Sequence, residues 1–119
     1  MTDKRKIGRF GEEAAALYLI KKGYTIRERN YWLPIGEIDI IAIDKDGCTV
    51  FVEVKTRKNS DYGYASEFVD AKKQQKLTRT AEAYCGRDIY MRFDIIEVYY
   101  KLTDNRMQIT EINHIENAF

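Results

Sequence analysis

Histidine is almost absent from this chain. The single one, His114, rules out any multi-histidine zinc site, and a Ser-His-Asp or Cys-His nucleophile would rest on that residue alone. It reads as an ordinary exposed histidine. Cysteine is also scarce. Cys48 and Cys85 share no metal-ligand spacing and are too few for a disulfide framework, which points to reduced thiols in a cytosolic protein. No apolar run reaches membrane length, and the opening segment MTDKRKIGRF lacks the apolar core of a signal peptide. Neither charge sign dominates: 20 Lys and Arg against 19 Asp and Glu leave a formal net charge of +1. Attraction to a polyanion must therefore come from a local patch. Proline occurs once, at Pro34, and no repeat or low-complexity stretch is present.

What is there suffices for one domain spanning residues 1–119. The chain is 45% hydrophobic and 33% charged, enough apolar material for a core without the signature of disorder. A first helix is expected from Ile7 to Lys22, ended by Gly23. Apolar residues cover nearly every side of it, which predicts substantial burial. Tyr24–Trp32, Gly36–Ile43 and Cys48–Arg57 read as strands. A polar loop from Lys58 to Phe68 follows, then a second helix capped by Asp70, striped by Leu77, Ala81 and Tyr84, and ending near Gly86. Met91–Tyr100 and Met107–Ile112 read as two more strands about a Thr-Asp-Asn-Arg turn. The order predicts an α/β domain with a central mixed sheet of about five strands flanked by helices.

The segment GEIDIIAIDKDGCTVFVEVKTR carries the chemistry. Alternate side chains of a strand share a face. Ile38, Ile40, Ala42, Val50, Val52 and Val54 then form one aliphatic face, while Glu37, Asp39, Glu53, Lys55 and Arg57 lie on the other, beside Ile41 and Phe51. A three-residue loop, Lys45-Asp46-Gly47, with Gly47 at positive φ, gives the required register. It sets Ile41 opposite Phe51 and pairs Asp39 with Glu53, Cα atoms about 4.5–5.5 Å apart. Carboxylates gathered this way repel, and a cation relieves the repulsion most cheaply. Hard oxygen ligands suit Mg²⁺ or Mn²⁺. Lys55 is placed to hold or deprotonate an attacking water or to steady a phosphoryl oxygen. These are the parts for hydrolysing a phosphodiester.

Ile38-Asp39 followed by Glu53-Val54-Lys55 resembles the PD-(D/E)xK motif of restriction-endonuclease-like nucleases, with Ile38 where the motif name has proline. The wider pattern resembles the bacterial YraN-type family. It comprises Gly8-x-x-Gly11-Glu12-x-x-Ala15, Tyr24 with Arg29-Asn30-Tyr31, Gly36-Glu37-Ile38-Asp39, Phe51-Val52-Glu53-Val54-Lys55-x-Arg57, Lys72 and Arg92-Phe93-Asp94. That family is similar in fold to archaeal Holliday-junction resolvases. The resemblance implies a restriction-endonuclease-like core, a DNA substrate that is branched, and a further acid on the first helix four residues after a glycine. Glu12 stands four after Gly8 and matches; helical geometry alone does not choose it over Glu13. Metal ligation thus falls to Asp39, Glu53 and Glu12, and catalysis to these with Lys55. Junction resolution calls for two active sites and hence a homodimer.

A basic surface accompanies the site. Lys72, Lys76 and Arg79 follow helical spacing with Lys73 beside them, and Arg57 and Lys58 leave the active strand, all as phosphate contacts. Tyr62 and Tyr64 in the loop read as locally packed side chains, with stacking on unpaired bases as the alternative. The expectation is a Mg²⁺-dependent DNA endonuclease in the cytoplasm. The alternative is a nuclease-fold module that binds nucleic acid without cutting it.

Overall fold

The computed structural model describes residues 4–61, 69–87 and 89–119. The elements run α1 (Lys4–Lys21), β1 (Thr25–Leu33), β2 (Gly36–Ile43), β3 (Thr49–Lys58), a 3₁₀ turn (Asn59–Asp61), α2 (Ala71–Cys85), β4 (Met91–Thr103) and β5 (Arg106–Ile115). The five strands form one sheet in the order β1-β2-β3-β4-β5. All neighbours are antiparallel except β3 and β4, which run parallel because α2 lies between them in the chain. The mixed five-stranded sheet with flanking helices is therefore as expected.

Each helix has the stop its sequence announces. Gly23, at φ 99°, lets its N–H reach the Ile20 carbonyl at 3.0 Å and the Tyr24 N–H reach that of Leu19 at 2.9 Å, a Schellman ending. Asp70 caps α2 by accepting the Lys73 N–H at 2.8 Å, and the Gly86 N–H closes the helix on the Glu82 carbonyl at 2.7 Å.

The helices divide the core. One cluster joins Ala14, Ala15 and Leu19 of α1 to Ile40, Val52 and Val98; the other joins Leu77 and Ala81 of α2 to Ile38, Ile41 and Phe51. The expected all-round burial of α1 is not seen. Its buried stripe is Gly11, Ala14, Ala15, Ala16 and Leu19, while Leu17 and Ile20 are 56% and 53% exposed. The sheet covers one side of the helix, and among the described residues no element covers the other.

Gly11 sets how closely α1 approaches the sheet. A Cβ there would fall 1.8 Å from the Thr56 Oγ1 of β3. Gly11→Ala should therefore push the helix off the sheet and cost about 1–3 kcal/mol, read as a lower urea midpoint with unchanged m-value. An unchanged midpoint would show that the helix shifts freely.

The β2–β3 hairpin has the expected turn. Gly47 sits at φ 87°, its N–H bonded to the Asp44 carbonyl at 3.2 Å, and Ile43 pairs with Thr49, Ile41 with Phe51 and Ile40 with Val52. The Asp44 side chain fastens the turn by accepting the N–H groups of Asp46 and Cys48, each at 2.9 Å. The ladder stops at Ile40 and Val52, one pair short of the expected pairing of Asp39 with Glu53. The Val54 N–H goes instead to the Asp39 carboxylate at 2.8 Å, so a side chain replaces a backbone acceptor where the strands part.

Candidate active site

The strand alternation reverses at Asp39. On β1, Arg29 reaches the α1 side, where its guanidinium meets Glu13 at 2.6 Å, whereas Tyr31 packs on Tyr84 of α2, ring centroids 5.1 Å apart. Residues two apart should share a face. Between them Asn30 adopts φ 52°, which turns the strand over. The partners follow: Ile40, opposite Arg29, joins the α1 cluster, while Ile38, opposite Tyr31, joins the α2 cluster. The expectation that Ile38 shares a face with Ile40 and Ala42 is thereby corrected. At the crossing point Asp39 lies along the sheet rather than on either face, which explains its bond to the Val54 N–H.

Around Asp39 the structure gathers acids from three elements. Burial pushes its carboxyl up to about 7, and the charges of Glu53, Glu12 and Glu37 add to the shift, against the Val54 hydrogen bond, which lowers it. Glu12 is also raised, first by burial and then by Glu37 and Glu53, although a hydrogen bond with Asn30 and the charge of Arg29 oppose this. Glu13, exposed and paired with Arg29, is the acid of α1 turned away, so geometry now separates it from Glu12.

Glu53 is drawn to two lysines. Its Oε1 lies 2.9 Å from Lys73 Nζ and 3.9 Å from Lys55 Nζ. Burial disfavours the charge on Lys73, but the bond to Glu53 and the charges of Glu53 and Asp39 outweigh it and hold the ammonium above its usual range. Glu53 and Lys73 line a cleft of about 290 Å³ together with Gly36, Glu37, Asp39, Lys76 and Leu77.

Lys73 and Glu37 are the neighbours of Asp39 and Glu53 that the sequence reading left out of the site. A signal existed for Lys73: it precedes the buried Leu77 and Ala81 at four-residue steps, so it extends the inward stripe of α2 by one turn.

The expected basic contacts separate. Lys76 is exposed and lines the cleft, and Lys72 and Arg79 are exposed on α2. Lys55, Arg57 and Lys58 line a wider open groove of about 820 Å³ beside Lys4, Ile7 and Gly8. Arg57 is turned partly inward, 3.5 Å from buried Glu97, and its Nε and Nη2 have no hydrogen-bond partner among the described residues. Tyr62 and Tyr64 lie outside the described residues.

A second polar cluster lies elsewhere. Asp94, His114 and Glu116 bring three ligand atoms within 4.8 Å of one another, the one such trio among the described residues. Glu12, Asp39 and Glu53 are looser than that. The place of a cation in the trio is nevertheless taken, because Arg92 grips both Asp94 oxygens at 2.9 and 3.0 Å. His114, expected to be exposed, has a side chain only 2% exposed. Its Nδ1 accepts from Lys22 at 3.0 Å, which leaves Nε2 to donate to Asp94 at 2.7 Å. Both Cys48 and Cys85 are free thiols, and no helix of the described residues is long and apolar enough to cross a membrane.

The model of "Uncharacterised protein family UPF0102" matches residues 11–98. A UPF0102 protein of Caldanaerobacter subterraneus subsp. tengcongensis is 47% identical over 98% of this chain and 97% of its own length. One of Clostridioides difficile is 47% identical over the whole of both. Among solved structures, a repair endonuclease from Pyrococcus abyssi aligns with TM-score 0.42 and 16% identity, over 88% of this chain and 41% of that one. EndoMS, in a complex with double-stranded DNA, aligns with TM-score 0.43 and 16% identity, over 73% and 33%. This chain thus spans less than half the length of either solved protein. Likeness at that level says nothing about its chemistry.

Proposed function

We propose that this chain, which belongs to the UPF0102 family, is a divalent-metal-dependent endonuclease that hydrolyses phosphodiester bonds in DNA, with branched DNA as its substrate. The observation that carries this reading is Asp39: a largely buried carboxyl beside Glu53, raised to about 7 by burial and by like charge, in a cleft open to solvent. Such a pair fits a hard cation, and Glu12 supplies a third oxygen donor from α1. When bound, Mg²⁺ or Mn²⁺ supplies Lewis-acid activation of the phosphoryl group. Asp39 and Glu53 fix the position of that charge. Lys55 orients the attacking water or takes its proton. Lys73 balances Glu53 and presents positive charge toward an incoming phosphate.

One observation favours a module that binds without cutting: Glu53 already has a cationic partner in Lys73. Incubating the purified protein with labelled four-way junction, duplex and single-stranded DNA, in EDTA and in Mn²⁺, separates the two. Metal-dependent cleavage is expected, with the junction cut first. Binding without cleavage in every metal tried would leave the module.

The exposed cations of α2 are assigned to the phosphate backbone. Lys72→Gln, Lys76→Gln and Arg79→Gln together should weaken binding to all sequences and flatten its salt dependence by up to about three units of log–log slope. An unchanged slope places the DNA path elsewhere, the groove of Lys55, Arg57 and Lys58 being next in line.

A further inference from the structure

The chain's one tryptophan is among its most exposed large side chains. Trp32 is 66% exposed near the tip of the β1–β2 hairpin, with Ile35, 45% exposed, at the turn itself. Two features tie this tip to the acidic cleft. Trp32 pairs across the ladder with Glu37, which lines the cleft two residues before Asp39. The turn also sits close against α2, since a Cβ on Gly36 would lie 2.6 Å from Thr80 Oγ1 and 3.4 Å from the Lys76 carbonyl. Trp32 thus stands one ladder pair from the cleft, on a tip whose turn touches α2 at Lys76 and Thr80.

Its outward position has a local cause. Asn30, at φ 52°, turns Tyr31 into the α2 cluster and leaves the next side chain outside. A left-handed non-glycine residue stores strain. The same Asn30 hydrogen-bonds with Glu12, so one residue both sets the strand reversal and touches the acid cluster.

Resting on the nuclease reading above, we propose that Trp32 is a stacking platform for an unpaired base, so that the site takes DNA whose strands separate beside the scissile phosphate. A protein partner fits the tip poorly. Trp32 and Ile35 are far smaller than the roughly 800 Å² per partner of a stable interface, and the ladder partner of Trp32 is the acid Glu37 rather than a further apolar group. An exposed indole one ladder pair from a residue that lines the cleft suits an aromatic base on a strand led into it.

Because Trp32 is the sole tryptophan, its fluorescence reports this position alone. The experiment titrates the full chain, in EDTA so that nothing is cut, with a forked duplex and with a blunt duplex of the same sequence, following tryptophan emission and, with labelled DNA, anisotropy. The fork should quench Trp32 and the blunt duplex should not. Trp32→Ala should weaken fork binding about 5- to 150-fold, the range of one lost base stack, and duplex binding by much less. Trp32→Phe should stay near wild type. Circular dichroism of the variants controls for folding. Fork binding without quenching, or equal losses on both DNAs, overturns the stacking role and leaves the nuclease reading standing. Absence of DNA binding by anisotropy overturns both.

Discussion

Asp39→Asn should abolish cleavage and, above neutral pH without metal, make the protein more stable than wild type. The first effect follows from the proposed ligand role; Glu53→Gln should do the same, and wild-type cutting by either variant would end the assignment. The second follows from the sign of the shift. The folded-state pKa of about 7 lies above the ordinary carboxylate value, so the folded protein holds this proton more tightly than the unfolded chain does. Stability from that proton is complete below about pH 4 and is lost as pH rises toward 7. An asparagine never ionises, and its side-chain oxygen can still accept the Val54 N–H. In EDTA the variant should exceed wild type by about 2–4 kcal/mol at pH 8 and by less at pH 5, measured by urea unfolding. Equal stabilities at pH 8 would show that Asp39 is not strained by its neighbours. Cleavage by the wild type should rise through pH 7, since a metal must displace that proton.

The geometry around Asp39 is legible in the sequence only in part. The hairpin was legible because two physical signals agreed: period-two alternation on both strands, and an Asp-Gly pair whose glycine takes φ 87°. The reversal at Asp39 was not. Alternation assumes a regular backbone, and one left-handed asparagine on the neighbouring strand moved Ile38 to the other layer and laid Asp39 along the sheet. Lys73 was hidden by its company. In a run of basic residues the charge pattern drew attention to Lys72, Lys76 and Arg79, whereas the spacing to Leu77 and Ala81 marked the inward one.

Burial was misjudged at both ends of the chain for one reason. What an element packs against cannot be read from its own residues. Leu17 and Ile20 make α1 look apolar all round, but the sheet covers only its small-residue stripe. His114 looked exposed because strand β5 was expected to stop at Ile112. It continues to Ile115, and pairing His114 with Ile96 carries the ring beneath α1 beside Tyr18.

The cluster around His114 yields the largest loss of stability expected in the molecule. Asp94 is fully buried and accepts four hydrogen bonds: from Arg92 Nε and Nη2, from His114 Nε2 at 2.7 Å and from the Asn117 N–H at 3.1 Å. Burial alone would raise its pKa. The bonds from His114, Arg92 and Asn117, with the charge of Arg92, outweigh burial and hold it below the usual carboxylate range. Arg92 in turn reaches Asp44 at 3.1 Å and Tyr24 Oη at 2.6 Å, so this one ion pair ties β4 to the β2–β3 turn and to the end of α1. Asp94→Asn keeps the shape, removes the charge and sets an amide N–H against one of these donors. Losing this buried, two-pronged partner should cost about 3 kcal/mol, the low end for a broken buried pair, because Asp44 at 3.1 Å still faces the guanidinium. Because the folded pKa is depressed, the wild-type advantage is complete above about pH 4 and is lost as pH falls through the folded value. Urea unfolding should therefore show a wide gap between Asp94→Asn and wild type at pH 7 that narrows toward pH 3. The cluster lies apart from the cleft, so cleavage per folded molecule should stay at the wild-type level. A loss under about 1 kcal/mol at pH 7 would mean that water replaces the carboxylate easily and that these residues do not hold the sheet, the turn and α1 together.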